Sequence, residues 1–222
     1  IKSHTPLDGL PMDENVVYLG IGRDLRDVGF SWANHMANLN FDNFFKAREA
    51  AVGLDDLPEL APDGPPVFPD TELERFWMWV DDPSPIPAAL ATMAQSAHHL
   101  NTFWEAREAP NVILLHYADM KADLEGQMRA LAARLGIEVP ESRWPELVEA
   151  ASFERMKERA DELAPEVDNR IWQDNNRFFH RGRSQWRELL DEKGLLRYAD
   201  RVKSLDVDPD LLTWAHKGPI IG

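Results

Sequence analysis

The chain has 222 residues, 44% of them hydrophobic, with 24 basic and 39 acidic side chains and a net charge of −15. That length supports a sizeable buried core, while the acidic balance excludes nonspecific binding to nucleic acid or an anionic membrane, which needs a broadly basic surface. Cysteine is absent, which excludes disulfides, thiolate metal sites and a cysteine nucleophile and makes a reducing cytoplasm the expected location. The longest apolar runs, "VVYLGI" and "NVILL", are too short to span a bilayer, so no integral membrane segment is expected. No signal peptide is legible.

Val16 to Ile21 is a short run of β-formers that predicts a buried strand. After it, Asp24 is a good N-cap and Asp27 stands in capping-box position, predicting a helix from Leu25 to Asn38. The Pro-rich stretch "LPELAPDGPPVFPD" (57–70) predicts a loop. Thr71 to Val80 predicts a helix broken by "DDPSPIP", and Ala88 to Arg107 predicts another that ends before Pro110. "NVILLHY" predicts a second buried strand. Asp119 is expected to cap a helix with the core stripe Leu124, Met128, Leu131 and Leu135, stopped by Gly136. Short helices follow, interrupted by "NNRFFHRGRSQW". Strand, helix, long helical insert, strand and helix predict an α/β fold, helix-rich, with a parallel sheet flanked by helices in a single domain over residues 1–222. Two strands are too few for a complete sheet and the sequence begins without methionine. An N-terminal strand–loop–helix is therefore expected to be missing from it.

Arg23 falls at the carboxyl end of the first strand, where open α/β sheets bind ligands. Asp27, Ser31 and His35 are spaced four apart and form one stripe along the following helix. Arg23 and Ser31 could converge on one phosphate, the first as a forked donor and the second through its hydroxyl. The alternative is that Arg23 pairs with Asp24 or Asp27 and the stripe merely caps the helix. In "FFHRGRSQW", His180, Arg181 and Arg183 surround Gly182, a composition suited to an anion nest or to an exposed basic turn. Tyr117 follows the second strand. Phe153 and Met156 in "ASFERMKER" could sandwich an adenine-like ring or serve as core. Lys2 and His4 share one face if their segment is extended. A neutral histidine could take a proton from an attacking hydroxyl, and a lysine beside it could stabilise charge on a transferring anionic group.

In this order, these stretches resemble the cytosolic-type sulfotransferase family. Its members move a sulfuryl group from 3′-phosphoadenosine 5′-phosphosulfate (PAPS) to a hydroxyl or amine, leaving 3′-phosphoadenosine 5′-phosphate (PAP). "KSHTPL" resembles the family's Lys-Thr-His-Leu-Pro. "VVYLGIGRDLRDVGFSWANH" resembles its strand–Arg–Asn/Asp-x-x-Asp–helix segment, and "PNVILLHYADMKADLEGQMRALAARLGIEV" resembles its next strand–helix unit. "ASFERMKE" resembles Thr-Ser-Phe-x-x-Met, and "FFHRGRSQWRELL" resembles Arg-Lys-Gly-x-x-Gly-Asp-Trp-Lys.

The resemblance implies a P-loop-NTPase-like sulfotransferase fold, His4 as general base and Lys2 on the transferring sulfuryl group. It implies that Arg23, Ser31, His180, Arg181 and the backbone at Gly182 hold the 3′-phosphate. It further implies that Tyr117, Ala151, Ser152, Phe153 and Met156 line the adenine pocket. PAPS is the implied donor and no metal is required.

The family's Arg/Lys-Ser-Gly-Thr-Thr-Trp loop, which cradles the 5′-phosphosulfate on a helix N-terminus, is not found here. Ala151 replaces the usual threonine and His180 the usual arginine. The expected acceptor is the hydroxyl of a small molecule or lipid. Phe76, Trp77, Trp79 and the apolar residues from Ala88 to Met93 could build its pocket or simply pack as core. A homodimer is an option that nothing in the sequence encodes. The competing readings are a noncatalytic nucleotide-binding or assembly member of the same fold, and a P-loop kinase, which is disfavoured because no Walker A pattern occurs.

Overall fold

The computed structural model describes residues 3–55, 67–82, 92–180 and 184–218. In chain order the elements are β1 (Tyr18–Gly22), α1 (Leu25–Asn38), α2 (Phe41–Val52), α3 (Glu72–Asp81), α4 (Met93–Glu105) and β2 (Val112–His116). They continue with α5 (Tyr117–Ala122), α6 (Leu124–Arg134), α7 (Trp144–Ala150), α8 (Phe153–Glu158) and α9 (Ala160–Leu163). The last are α10 (Asn175–Phe178), α11 (Trp186–Leu189), α12 (Glu192–Lys203) and α13 (Pro209–His216). Among the described residues no helix is long and apolar enough to cross a membrane.

Local chemistry explains where these elements begin and end. β1 starts two residues later than the apolar run suggests, because the Val16 amide closes a turn onto the Asp13 carbonyl. Thr71 caps α3 and forms a capping box with Glu74, satisfying two amides that a helix start leaves open. Asp119 does not cap α6. It lies inside α5, and Asp123 makes the cap instead, accepting from the Gly126 amide at 2.9 Å. Gly136 ends α6 as expected, at φ 66°. Its amide bonds the Ala133 carbonyl and the Ile137 amide bonds Ala132, the paired bonds of a Schellman stop.

The chain divides into two compact units, residues 1–25, 94–150 and 192–222 in the first and 26–93 and 151–191 in the second. In the first, β1 and β2 pair in parallel with Tyr18 opposite Val112 and Gly22 opposite His116. Leu7, Tyr18, Phe103 and Val112 form one core cluster, and Leu100, Leu211 and Ala215 another. β1 is buried on one face only. Leu19 and Ile21 on the other remain 42% and 60% exposed, although parallel strands usually bury both faces. In the second unit, Phe30 stacks on Phe76 with ring centroids 4.2 Å apart, and Trp79 and Val80 are buried with them. The core face of α1 in this unit is Arg26, Phe30 and Ala33, all buried, at the i, i+4, i+7 spacing of a helix stripe.

The loop expected over 57–70 lies outside the described residues as far as residue 66 and has no regular element over 67–70, and the expected break lies outside them from residue 83 on. Of the two readings left open for Phe76 and Trp79, pocket or core, the second agrees with the structure: they are 0% and 1% exposed and packed in the second unit. Trp77 is half-buried, edge-on to Phe76. Residues 88–91 are outside the described set, and Thr92 and Met93 are buried.

Candidate functional site

In the first unit the carboxyl ends of the two parallel strands present Arg23 and Tyr117 side by side. β1 ends at Gly22 and β2 at His116, so the next residue of each strand emerges at the same edge. The Arg23 guanidinium carbon lies 4.7 Å from the Tyr117 ring centroid, a cation–π pair. Arg23 Nε is buried and has no hydrogen-bond partner among the described residues. A buried, unpaired guanidinium N–H costs free energy unless something accepts from it, so this atom fits an anionic ligand group.

Tyr117 is placed by a residue that sequence reasoning passed over. His116 is 3% exposed. Its Nδ1 accepts from the Ala118 amide at 3.1 Å, capping α5, and its Nε2 lies 3.0 Å from the Ala215 carbonyl. Those partners require a neutral ring protonated on Nε2, which donates to Ala215. Burial holds its pKa below the ordinary histidine value, outweighing the Ala215 carbonyl, which raises it.

The His4 segment is pinned to α4. The Leu7 amide donates to Thr102 Oγ1 at 2.9 Å, which itself donates to the His99 carbonyl at 2.8 Å. Asp8 lies 3.6 Å from His98. The His99 imidazole hydrogen-bonds the His4 backbone, and burial pushes its pKa below the ordinary value despite that bond. His4 itself is exposed. His99 was not singled out from sequence; its only signal is the adjacent pair His98–His99. Lys2 lies outside the described residues.

The second unit carries Ser31, Ala151, Ser152, Phe153, Met156 and His180. Residues 172–178 and, separately, 184–186 contact α1 in antiparallel order. Leu39 bridges Trp172, and the Asn38 side chain donates to the Asp174 carbonyl at 2.8 Å and accepts from its amide at 3.1 Å. His35 stacks on Phe178 at 4.9 Å. Asp27 Oδ1 accepts from Ser184 Oγ at 2.9 Å and from the Gln185 amide at 3.2 Å. The Arg26 guanidinium covers the Trp186 ring at 3.8 Å. Ser31 lies on the stripe of Asp27 and His35, one turn from each, so it belongs to the helix face that these residues follow.

Ser152 caps α8 by accepting from the Arg155 amide. Phe153 packs edge-on to Phe179 at 6.4 Å, and Lys157 Nζ donates to the His180 carbonyl at 3.3 Å. The structure therefore brings α8 and the residues before the basic loop together. Ala151 and Met156 are half-buried beside these contacts in sequence. Arg181 and Gly182 lie outside the described residues. Among the described residues no group of three or more metal-ligating side chains is assembled.

Comparison with known proteins gives these features a setting. The family model described as a sulfotransferase domain matches residues 1–204. A glycolipid sulfotransferase of Mycobacterium bovis is 39% identical over 232 residues, covering 98% of this chain and 69% of that protein. One from Mycobacterium tuberculosis is 39% identical over 229 residues, with the same coverage. Among solved structures, a mouse sulfotransferase complexed with PAP superposes with TM-score 0.65 at 18% identity, covering 97% of this chain and 69% of that one. Retinol dehydratase, solved with androsterone and inactive cofactor PAP, gives 0.63 at 22% identity, covering 92% of this chain. This chain spans about half, 53%, of retinol dehydratase's length. The solved structures share the fold, and the helix-rich α/β architecture with its parallel strands agrees with theirs. On the match over residues 1–204 and the 39% identity to named sulfotransferases, the chain belongs to the PAPS-dependent sulfotransferase family.

Proposed function

We propose that this chain, as a single domain, transfers the sulfuryl group of PAPS to the hydroxyl of a small-molecule or lipid acceptor, with a glycolipid as the first class to test. The observation that carries the reading is the buried Arg23 Nε without a partner, held over Tyr117 at the strand ends. The glycolipid class rests on the named relatives, and PAP in the related structures supports the donor. A cytoplasmic location is part of this reading and rests on the cysteine-free composition.

His4 takes the proton of the acceptor hydroxyl as its oxygen bonds the sulfur and the bond from sulfur to the 5′-phosphate oxygen breaks. That phosphate leaves with the electron pair on PAP. Lys2 steadies charge on the transferring group. Arg23, Ser31, His180, Arg181 and the Gly182 backbone hold the 3′-phosphate, and Tyr117, Ala151, Ser152, Phe153 and Met156 contact the adenine. No metal is needed, because lysine and arginine supply the positive charge.

The test is radiolabelled sulfuryl transfer from PAPS to a panel of glycolipids, sterols and phenols, beside calorimetric titration with PAP. Saturable PAP binding with label entering the glycolipid fraction supports the reading. PAP binding without transfer to any acceptor favours the noncatalytic alternative. Absence of PAP binding overturns the donor assignment.

A further inference from the structure

The geometry points to Trp214 on α13 as a positioning residue for the donor site, one that sets the spacing of Arg23 and Tyr117 by covering the last rung of the sheet. The inference rests on the donor reading above, in which Arg23 meets the 3′-phosphate and Tyr117 the adenine.

Gly22 and His116 are the final pair of the parallel ladder, and each is followed directly by a residue of the donor site. One indole touches both. A Cβ added at Gly22 would overlap Trp214 Cζ3 and Cη2, so the ring lies on the bare backbone of β1. The His116 ring meets Trp214 edge-on, with centroids 5.0 Å apart and planes at 84°. His116 Nε2 also bonds the carbonyl of Ala215, the residue after Trp214, at 3.0 Å. All of these residues belong to the first unit. α13 follows residue 204, where the match to the family ends.

Neighbouring contacts hold the indole in place. Trp104 packs against it at 5.5 Å, and Trp104 Nε1 donates to Asp208 Oδ2 at 2.9 Å. Asp208 caps α13 by accepting from the Asp210 amide, and its own amide donates to Asn101 Oδ1 at 3.1 Å. At the other end of α13, Lys217 Nζ donates to Asp119 Oδ2 at 2.7 Å, but that pair is 40% and 47% exposed and contributes little. The grip on the strand ends therefore comes from the indole and the His116–Ala215 bond.

Glycine in a strand leaves the backbone loose and marks a place of close approach. At Gly22 the indole removes that looseness just before Arg23. The 4.7 Å contact between the guanidinium and Tyr117 requires both strand ends at a fixed spacing, and Trp214 bears on both.

The experiment titrates wild type, Trp214→Ala, Gly22→Ala, the double variant and Leu211→Val with PAP and with adenosine 5′-phosphate, which lacks the 3′-phosphate. Trp214→Ala is expected to weaken PAP about tenfold, the scale of one hydrogen bond to a charged group, and adenosine 5′-phosphate less than about threefold. Gly22→Ala pushes the indole off while leaving the sequence of α13 intact, so it tests the contact independently of a folding defect in Trp214→Ala. It should weaken PAP to a similar extent alone, but less than about twofold when added to Trp214→Ala, because its clash partner is then gone. Leu211 is 1% exposed and packs with Leu100 and Ala215, so Leu211→Val loosens α13 without uncovering Gly22. It should leave both ligands within about twofold of wild type.

A loss of PAP affinity in Leu211→Val equal to that in Trp214→Ala would overturn the assignment, as would a further tenfold loss when Gly22→Ala is added to Trp214→Ala. Wild-type discrimination between the two ligands that survives in Trp214→Ala or in Gly22→Ala would overturn the positioning role alone. A wild type that binds PAP no more tightly than adenosine 5′-phosphate would overturn the 3′-phosphate reading itself.

Discussion

The guanidinium of Arg23 rests on the face of Tyr117, 4.7 Å from the ring centroid, with its Nε buried and unpartnered among the described residues. The ring holds the guanidinium from one side, and the unpartnered Nε–H fits a ligand acceptor. Arg23→Ala should raise the Kd for PAP about 10- to 100-fold, the range for charge-assisted hydrogen bonds. Arg23→Lys should recover little of the loss, because an ammonium lacks the forked, planar donor set and stacks less well. Tyr117→Phe should bind PAP within about threefold of wild type, and Tyr117→Ala should lose about 3- to 30-fold as the cation–π contact goes. Titration calorimetry on the four variants checks this. Equal affinity of Arg23→Ala and wild type would remove Arg23 from the site.

The contact between Arg23 and Tyr117 also marks how far sequence alone reaches. Pattern alone places both at strand ends, because a short run of β-formers that gives way to polar residues has few other foldings. Their mutual contact was not legible, since it depends on the parallel register that sets Gly22 against His116. The extent of helix α1 was legible, because its periodicity and polar boundaries agree. Its use of Asp27 was not. The capping-box position suggested a local partner, whereas the carboxylate accepts from residues 157 and 158 positions away. Phe76 and Trp79 show the converse case: an aromatic-rich helix reads equally as pocket or as core, and only the stacking on Phe30 decides it.

The segment that carries His4 is anchored through backbone bonds to α4. The Leu7–Thr102 bond and the His99 contact to the His4 backbone orient the segment. Replacing the His4 ring should therefore leave the segment in place. His4→Ala should reduce kcat about 10²- to 10⁴-fold, the usual contribution of a general base, with the Kd for PAP within about twofold of wild type. Thr102→Val removes the acceptor of the Leu7 amide and should reduce kcat severalfold, again sparing PAP affinity. Steady-state kinetics with PAPS and a sulfated product readout, next to PAP titration, separates the two parameters. Full activity in His4→Ala would show that another group takes the proton.

Gly29 is a test of packing in the second unit. In an ordinary exposed helix, glycine to alanine gains about 1 kcal/mol from helix propensity. At position 29 a Cβ would come within 2.8 Å of the Phe76 ring and of Trp79 Cε3. Both rings are buried and cannot swing into solvent. Overpacking of this kind costs about 1–3 kcal/mol, so the clash should win. Gly29→Ala is expected to lower the denaturant midpoint by an amount worth about 1 kcal/mol. Phe76→Leu, which clears space beside the new methyl, should make the same change less harmful. A higher midpoint in Gly29→Ala would mean that the α1–α3 contact relaxes more readily than the buried rings imply.

His116 gives the first unit a pH dependence of defined sign. Burial lowers its folded-state pKa below the ordinary value of about 6.5. Nearby Lys217 pushes the same way, while the Ala215 carbonyl, Asp119 and Asp24 oppose it. As pH falls below about 6.5 the unfolded chain takes up a proton that the folded chain refuses, so stability falls with pH. The contribution is whole above that value and is lost toward the lower folded pKa, with a slope of at most ~1.4 kcal/mol per pH unit for one proton. Protonation at Nδ1 also removes the acceptor for the Ala118 amide, uncapping α5 beneath Tyr117. Asparagine keeps a cap acceptor at this position but does not titrate. Wild type should therefore be more stable than His116→Asn at pH 8, where the buried bond to Ala215 counts in full. The gap should narrow on going to pH 5.5. Urea unfolding of both proteins at three pH values measures it, and a gap that stays constant or widens would mean that His116 is charged in the folded protein.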